Sequence, residues 1–218
     1  MGFNFLVPIR GHNRTGAMTI QEDKLKELVD LTLQGRLTQG DFSRLTGCSG
    51  VDFDFTFNLE GFALRQPFTR TVSWCLPTVE YFDALAKMLK GKRVVEVCAG
   101  KGIFQAAMRQ RGVEWISTDL EPGAPHVLKM DALEAVDTLN PDFVFASWIP
   151  YESDLDYQIA IKGVPCLFVT EGWGGCTGSE NFWQEDGIKY MIASKVLDHD
   201  VLCWPGIHDH TILVLPGG

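Results

Sequence analysis

Glu96 stands among three valines, and two glycines, Gly100 and Gly102, closely follow it. Valine-rich runs form strands that are buried on both faces of a sheet, and glycine allows a tight turn that a ligand can approach. From Ile103 onward, apolar residues recur at helical spacing. The stretch therefore predicts a strand, a turn and a helix start. Unpaired N–H groups and the positive end of the helix dipole can bind a nucleotide-like ligand there.

Three nucleotide-binding patterns can be compared with this turn. A P-loop needs G-x-x-x-x-G-K-[ST], but Lys101 is followed by glycine, and a dinucleotide fingerprint needs a third glycine where Gln105 stands. The third pattern is E/D-x-G-x-G-x-G, and its fixed positions fall on Glu96, Cys98, Gly100 and Gly102. With Cys98 in place of one glycine, the stretch resembles motif I of the class I S-adenosylmethionine (SAM)-dependent methyltransferases.

The resemblance continues along the chain. Three further strand-like runs follow, and each ends in residues of the type that the family has at the end of the corresponding strand. It implies that Asp119, which ends the second strand, binds the ribose hydroxyls, and that Asp131, which ends the third, meets the adenine amino group. The cofactor-binding residues predicted in this way are Glu96, Cys98, Ala99, Gly100, Gly102, Asp119, Leu120, Asp131, Ala132 and Ser147. The alternative for each acid is that it caps the helix that follows it.

The fourth strand ends in a segment, 147–151, that resembles the [D/N/S]-P-P-[Y/F/W] motif of amino-group methyltransferases. The resemblance implies that Tyr151 stacks on the acceptor, with Trp148 at the polar position and Ser147 one residue before it. Glu171 ends the fifth strand and is the acid expected to act as a base or to orient an amine. The predicted catalytic residues are Tyr151, Glu171, Trp148 and Ser147. The alternative is a strand-ending turn with packed aromatic side chains.

The order of elements predicts an α/β fold. We expect a seven-stranded, mostly parallel sheet with a terminal antiparallel hairpin, helices on both faces and an N-terminal helical and β extension. Residues 1–76 are predicted to be the extension and residues 77–218 the SAM-binding core, with a helix starting at Pro77. The predicted sixth strand runs parallel to the core. The turn after it then emerges at the edge that holds the cofactor.

Four elements are predicted within the extension. Residues 1–17 are expected to form an arm, and Thr19 with Glu22 matches a capping box at the start of a helix that ends near Gly35. A short helix is expected at 41–45. The alternation in 51–57 predicts a half-buried strand, with 62–68 as a possible hairpin partner.

The C-terminal third predicts two helices and three strands around a glycine-rich loop. A helix is expected at 153–162, a strand at 164–171, and a helix capped by Ser179 that carries Phe182, Trp183, Ile188 and Met191. Two final strands are expected at 195–204 and 211–215. The loop 172–178 and the turn 204–210 are predicted to join 148–151 in an acceptor pocket with Glu171 at its floor.

Composition limits the classes of function. The net charge of -9 disfavours an extended nucleic-acid surface, and no apolar run is long enough to span a membrane. Six scattered cysteines form no C-x-x-C pair, which favours a reduced, cytoplasmic setting over disulfides or zinc. His208 and His210 flank Asp209, but no third ligand lies near them in sequence, so no metal site is predicted.

The resemblance implies a methyltransferase that binds SAM, and its demethylated product SAH, and that acts on an unidentified acceptor such as an amine or a flat aromatic group. A catalytically inactive SAM-binding scaffold or regulatory partner is the main alternative. A nucleotide-binding oxidoreductase is a third hypothesis, disfavoured by Gln105. The oligomeric state is not predicted.

Overall fold

A seven-stranded sheet runs through the computed structural model, which describes residues 15–51, 58–184 and 190–217. Its strands are β1 (Arg93–Val97), β2 (Glu114–Asp119), β3 (Leu128–Lys129), β4 (Phe143–Ser147), β5 (Cys166–Thr170), β6 (Tyr190–Ser194) and β7 (His210–Pro216). The helices described are α1 (Thr15–Leu33), α2 (Gln39–Thr46), α3 (Leu59–Thr71), α4 (Val79–Met88), α5 (Ile103–Gln110), α6 (Ala132–Leu139), α7 (Leu155–Ala160) and α8 (Glu180–Gln184).

The strands lie in the order β3-β2-β1-β4-β5-β7-β6. Strands β1 to β5 are parallel, with Val95 opposite both Ile116 and Val144, while β7 is antiparallel to β5 and to β6. Strand β6 therefore runs in the direction of the core strands, as predicted. The predicted seven-stranded sheet with a terminal antiparallel pair is confirmed. The strand order reverses between β1 and β4, the position where open α/β sheets bind ligands beyond their carboxyl ends.

Each face of the sheet is covered by its own hydrophobic cluster. One cluster joins helices α1 to α5 to the sheet, and Trp204 lies within it, packed against Phe42 and Phe68 at centroid distances of 5.2 and 5.6 Å. The other cluster joins α6 and α7, together with Phe182 of α8, to the opposite face. Helices therefore cover both faces, as expected. The helices of the extension pack into the same cluster as α4 and α5, and the domain boundary at residue 76 stays a prediction.

The predictions for the first two helices of the extension have different outcomes. Helix α2 has a capping box at Thr38 and ends at Gly47, whose φ is 69°, so the short helix is confirmed. Helix α1 begins at Thr15, so the capping box predicted at Thr19 is wrong, because that residue already lies inside the helix. The predicted arm falls almost wholly on residues outside the described ranges.

The predicted strand partner at 62–68 is wrong, since these residues belong to α3. The Asn58 side chain accepts from the N–H groups of Glu60 and Gly61 and so caps the helix, and Leu64 and Phe68 are buried one turn apart. Of the predicted strand at 51–57, residues 52–57 lie outside the described residues.

The predicted position of the sixth strand is also wrong. The β6 residues that pair with β7 are Tyr190–Ser194, with Met191 opposite Leu215, so Met191 belongs to a strand rather than to α8. Residues 195–209 instead form a long connection across the carboxyl edge, where Leu202 bridges to Leu76. No helix in the part of the chain that the structure describes has both the length and the apolarity needed to cross a membrane.

Candidate cofactor and acceptor site

The turn after β1 has a left-handed backbone at Cys98, Gly100 and Gly102, with φ values of 54°, 53° and 62°. A Cβ atom added to Gly102 would lie 2.5 Å from Val127 Cγ2, so the packing there leaves no room for a side chain. A Cβ atom added to Gly100 would meet nothing within 4 Å. The turn therefore has one packed side and one open side, and a ligand can approach it at Gly100.

Backbone hydrogen bonds hold this turn at the sheet edge. The N–H of Ala99 donates to Thr118 O at 3.0 Å, and the N–H of Gly102 donates to Ala99 O at 2.7 Å. Burial raises the pKa of Cys98 to about 11, with Asp119 adding to the effect. The thiol therefore stays neutral at physiological pH and takes the place of a small residue rather than of a nucleophile.

Glu96 lies beneath the turn, and only 2% of it is exposed. Its Oε2 accepts from Trp115 Nε1 at 2.8 Å and from the Ser117 hydroxyl, so the carboxylate joins β1 to β2. Burial raises the pKa of Glu96 to about 7, although both hydrogen bonds oppose the shift. The structure thus gives Glu96 a supporting position. Its contact with a cofactor stays a prediction.

Asp119 is joined directly to the glycine turn. Its Oδ2 accepts from the N–H of Gly100 at 2.7 Å, and its Oδ1 accepts from the N–H of Glu121 at 2.8 Å. Each carboxylate oxygen has a further lone pair, so Asp119 can still accept from ligand hydroxyls. Leu120 beside it is 62% exposed and offers apolar surface at the same edge.

A group of hydrogen bonds that was not predicted from the sequence holds the outer side of the turn. We call it the clamp, and its central residue is Gln105. The N–H of Ser117 donates to Gln105 Oε1 at 2.8 Å, and Gln105 Nε2 donates to His126 O at 3.1 Å. The N–H of Gly123 donates to Gly100 O at 2.8 Å. Gln105 therefore bridges β2 to the segment before β3. The available signal was a glutamine among the apolar positions of an amphipathic helix, where its side chain is buried.

Asp131 lies at the carboxyl end of β3, as predicted, and it also caps α6. Its Oδ1 accepts from the N–H groups of Leu133 and Glu134 at 2.9 and 3.1 Å, which is the capping alternative. The residue is exposed, and Ala132 begins the helix with only 8% exposure. One oxygen therefore stabilises the helix, and the exposed carboxylate keeps further lone pairs toward the edge.

The residues at the end of β4 point in different directions. Ser147 lies near the thiol of Cys75, whose pKa burial raises well above its usual value, and the buried Ser147 Oγ has no hydrogen-bond partner among the described residues. Trp148 has a left-handed φ of 58° and stacks on Trp74 at a centroid distance of 4.9 Å. Tyr151 is 63% exposed. Trp148 and Tyr151 therefore do not line one pocket.

Tyr151 faces the glycine-rich loop, as predicted. Together with Trp173 and Trp183 it lines a cavity of about 100 Å³ between 151 and the loop 172–178. The loop is fixed at its far end, because the N–H of Gly178 donates to Ile149 O at 3.0 Å. Trp204, which was expected to line the same pocket, is only 1% exposed and lies in the core instead.

Glu171 holds the near end of this loop. Its Oε2 accepts from the N–H of Cys176 at 2.8 Å, and its Oε1 accepts from the N–H of His208 at 3.4 Å. The carboxylate thus joins the loop to the segment before β7 instead of forming the floor of the cavity. Its role as a base stays a prediction.

Asp209 was considered in the sequence only as part of a metal motif. In the structure it is 2% exposed, and its Oδ2 accepts from Trp148 Nε1 at 3.0 Å. Burial raises the pKa of Asp209 to about 8. His210 Nδ1 lies 3.1 Å from His208 O. Within residues 15–51, 58–184 and 190–217, no three metal-binding side chains come together.

The comparisons with solved structures give distant similarities. A mutant of MtNAS shares 13% identity over 93% of this chain and 72% of that chain, with a TM-score of 0.41. The CcbJ methyltransferase from Streptomyces caelestis shares 13% identity over 64% of this chain and 72% of that one, with a TM-score of 0.31. Coclaurine N-methyltransferase bound to N-methylheliamine and SAH shares 12% identity over 84% of this chain and 68% of that one, with a TM-score of 0.30.

No protein-family model matches the chain, and no curated protein sequence matches it. The observed strand order and the antiparallel β7 define an α/β fold with a Rossmann-like, mostly parallel sheet.

Proposed function

We propose that this protein binds SAM and transfers its methyl group to an acceptor. The observation that carries the proposal is the 2.7 Å hydrogen bond from the Gly100 N–H to the Asp119 carboxylate. It joins the open glycine turn to the strand-ending acid at the carboxyl edge, next to the reversal in strand order. A nucleotide-binding oxidoreductase is less well supported, since Gln105 is buried in the clamp where the dinucleotide motif needs glycine.

The residues present fit a SAM molecule. Its methionine part would lie on the open side of Gly100, its ribose hydroxyls would donate to Asp119, and its adenine would lie near Leu120, Asp131 and Ala132. When bound, the sulfonium supplies a reactive methyl group for in-line displacement. The protein then has to bind the acceptor, orient it and exclude water.

Two groups of residues on the acceptor side are suited to that task. Tyr151, Trp173 and Trp183 surround a cavity that can hold a flat group, and Glu171 fixes the loop that closes it. Ser147 ends the neighbouring strand β4, and Trp148 follows it and stacks on Trp74, so their contact with an acceptor remains part of the proposal. We propose an amine or a flat aromatic group as the acceptor, with the reaction in the cytoplasm and without an extended nucleic-acid or membrane surface.

Calorimetric titration with SAH tests the cofactor part of the proposal. We expect SAH to bind and the Asp119→Ala variant to bind it more weakly by ~1–3 kcal/mol, because the ribose hydroxyls lose their acceptor. Asp137→Ala is a matched control, since this acid lies on α6 in an exposed pair with Lys162. Equal affinity in the wild type and Asp119→Ala, or binding of NAD in place of SAH, would overturn it.

A turnover assay distinguishes an active methyltransferase from an inactive SAM-binding scaffold. Methyl transfer from SAM to an added amine or aromatic acceptor would support catalysis. SAH binding without transfer to any acceptor tested would favour the scaffold, which the geometry alone does not favour.

A further inference from the structure

A second cavity, of about 360 Å³, lies on the outward face of α3, opposite the side on which Leu64 and Phe68 are buried. Its described lining residues are Phe62, Ala63, Arg65, Gln66 and Thr69 of α3, together with Trp74. The volume falls within the range of about 300–1,000 Å³ that is usual for small-molecule sites. The cavity is distinct from the smaller one beside Tyr151.

Two aromatic side chains form walls of this cavity and keep much of their surface exposed. Phe62 is 61% exposed and Trp74 is 47% exposed. Phe62 lies on the side of α3 that faces away from the core, where an amphipathic helix normally carries polar residues. Exposed aromatic side chains that line one cavity indicate a binding surface, and their ring faces and edges suit a flat aromatic ligand.

Arg65 is the charged residue among those that line the cavity, and its side chain is half-buried. None of the ion pairs formed by the described residues includes Arg65. Burial raises the pKa of Asp209 to about 8, and Arg65 is among the groups that oppose this rise. Most Asp209 carboxyls are therefore protonated at neutral pH and add little negative charge beside Arg65. A guanidinium of this kind can bind a carboxylate through two parallel hydrogen bonds.

Trp74 connects this cavity to the carboxyl end of β4. Its indole ring stacks on that of Trp148 at a centroid distance of 4.9 Å and an interplanar angle of 19°. Trp148 directly follows β4, and its Nε1 donates to Asp209 at 3.0 Å. A ligand that contacts Trp74 in the cavity therefore lies one indole ring away from the predicted acceptor-binding segment 147–151.

We infer that this cavity binds a flat aromatic acid, with its ring against Trp74 and Phe62 and its carboxylate on Arg65. The inference deepens the proposed function by naming a class of acceptor, and it rests on that function for the ligand's role in methyl transfer. The carboxylate held by Arg65 is then not the group that accepts the methyl. Binding itself needs no SAM, so it can be measured on the protein without cofactor.

Calorimetric titration of the full chain with naphthoate tests the inference. Naphthamide has the same ring without the charge, and cyclohexanecarboxylate has the charge without a flat aromatic ring. We expect naphthoate to bind. Each of the other two compounds should bind about tenfold more weakly or not at all, because each lacks one of the two kinds of contact.

Substitutions in α3 locate the binding to this cavity. Arg65→Gln should weaken naphthoate binding about tenfold or more and remove the preference for naphthoate over naphthamide, because glutamine carries no charge. Phe62→Ala should weaken binding of both compounds, and the exposure of Phe62 makes loss of the fold unlikely to explain the effect. Arg70→Gln is the matched control. Arg70 is an exposed arginine in the last turn of the same helix, outside the cavity lining, so naphthoate affinity should stay the same.

Three results would overturn the inference: no naphthoate binding, equal binding of naphthamide, or a loss in Arg70→Gln as large as that in Arg65→Gln. A loss in Trp173→Leu without a loss in Phe62→Ala would also overturn it, because Trp173 lines the cavity beside Tyr151.

SAH titration of the same samples separates this test from that of the cofactor site. Wild-type protein that binds SAH but no naphthoate contradicts only the aromatic-acid site. Protein that binds naphthoate but no SAH contradicts the proposed function, and with it the ligand's role as acceptor, but not the binding site.

Discussion

Gly100 and Gly102 share a left-handed backbone but differ in what surrounds them. A side chain at Gly102 would collide with Val127 and His126, so substitution there disturbs the fold. A side chain at Gly100 would enter open space, where the methionine part of SAM is proposed to lie. At the scale of single residues, the surroundings of each glycine therefore show whether the fold or the proposed ligand requires it.

We predict that Gly100→Val abolishes detectable SAH binding in calorimetry while the protein remains folded by circular dichroism. The valine side chain would occupy the ligand's space, and the left-handed backbone adds roughly 1–2 kcal/mol of strain.

Gly112→Val is the matched control for this substitution. Gly112 has a φ of 78° and also has open space around it, but it lies at the opposite edge of the sheet, between α5 and β2. The control should lose similar stability and keep SAH affinity. Retained binding in Gly100→Val would show that the turn does not contact the ligand.

At the scale of elements, Glu96 makes the pairing of β1 and β2 sensitive to pH. Its pKa is raised by burial from 4.5 to about 7. Between these values the folded protein keeps a proton that the unfolded chain has lost, so stability falls as pH rises through this window and levels off above it. A shift of this size corresponds to about 3 kcal/mol.

Glu96→Gln should flatten this fall in stability, because glutamine keeps an acceptor for Trp115 Nε1 and has no charge to bury. Urea denaturation at about pH 5 and about pH 8 gives the loss in the free energy of unfolding over this range for the variant and for the wild type. The difference between these two losses is the effect of Glu96. Glu114→Gln, at the exposed start of β2, is the control. A variant that loses as much stability as the wild type over this range would show that Glu96 is not the group responsible.

The elements that could be predicted are those whose sequence pattern is local. Strand β1 and its turn are an apolar run followed by glycines, and β2 is an apolar run that ends in Asp119, so both followed from the sequence. Strand β6 could not be placed, because Leu202 and Trp204 of the connection 195–209 are as apolar as a strand. They pack against the helices instead.

The contacts of the candidate site also differ in whether the sequence could predict them. The bond between Gly100 and Asp119 joins two motifs whose order along the chain is recognisable. The bond between Trp148 and Asp209 joins residues that lie 61 positions apart and belong to no common motif. Such a contact depends on how β7 and the connection before it pack, which the sequence pattern does not determine.

At the scale of the whole molecule, the carboxyl edge of one sheet holds both halves of the proposed site. The glycine turn, Asp119 and Asp131 lie on the β1-β2-β3 side, and the cavity near Tyr151 lies on the β4-β5-β7 side. The extension joins the second side, since Leu76 pairs with Leu202. A ligand that contacts both sides would lie across the reversal in strand order.

Hydrogen exchange measured peptide by peptide, with and without SAH, tests the central claim most directly. Bound SAH should slow exchange in residues 98–102 and 119–123, which contain the Gly100 and Glu121 amides bonded to Asp119. The turn at 111–113, on the opposite edge, should exchange at the same rate in both samples. SAH that fails to bind, or that slows exchange only outside the carboxyl edge, would contradict the placement of the cofactor on this turn.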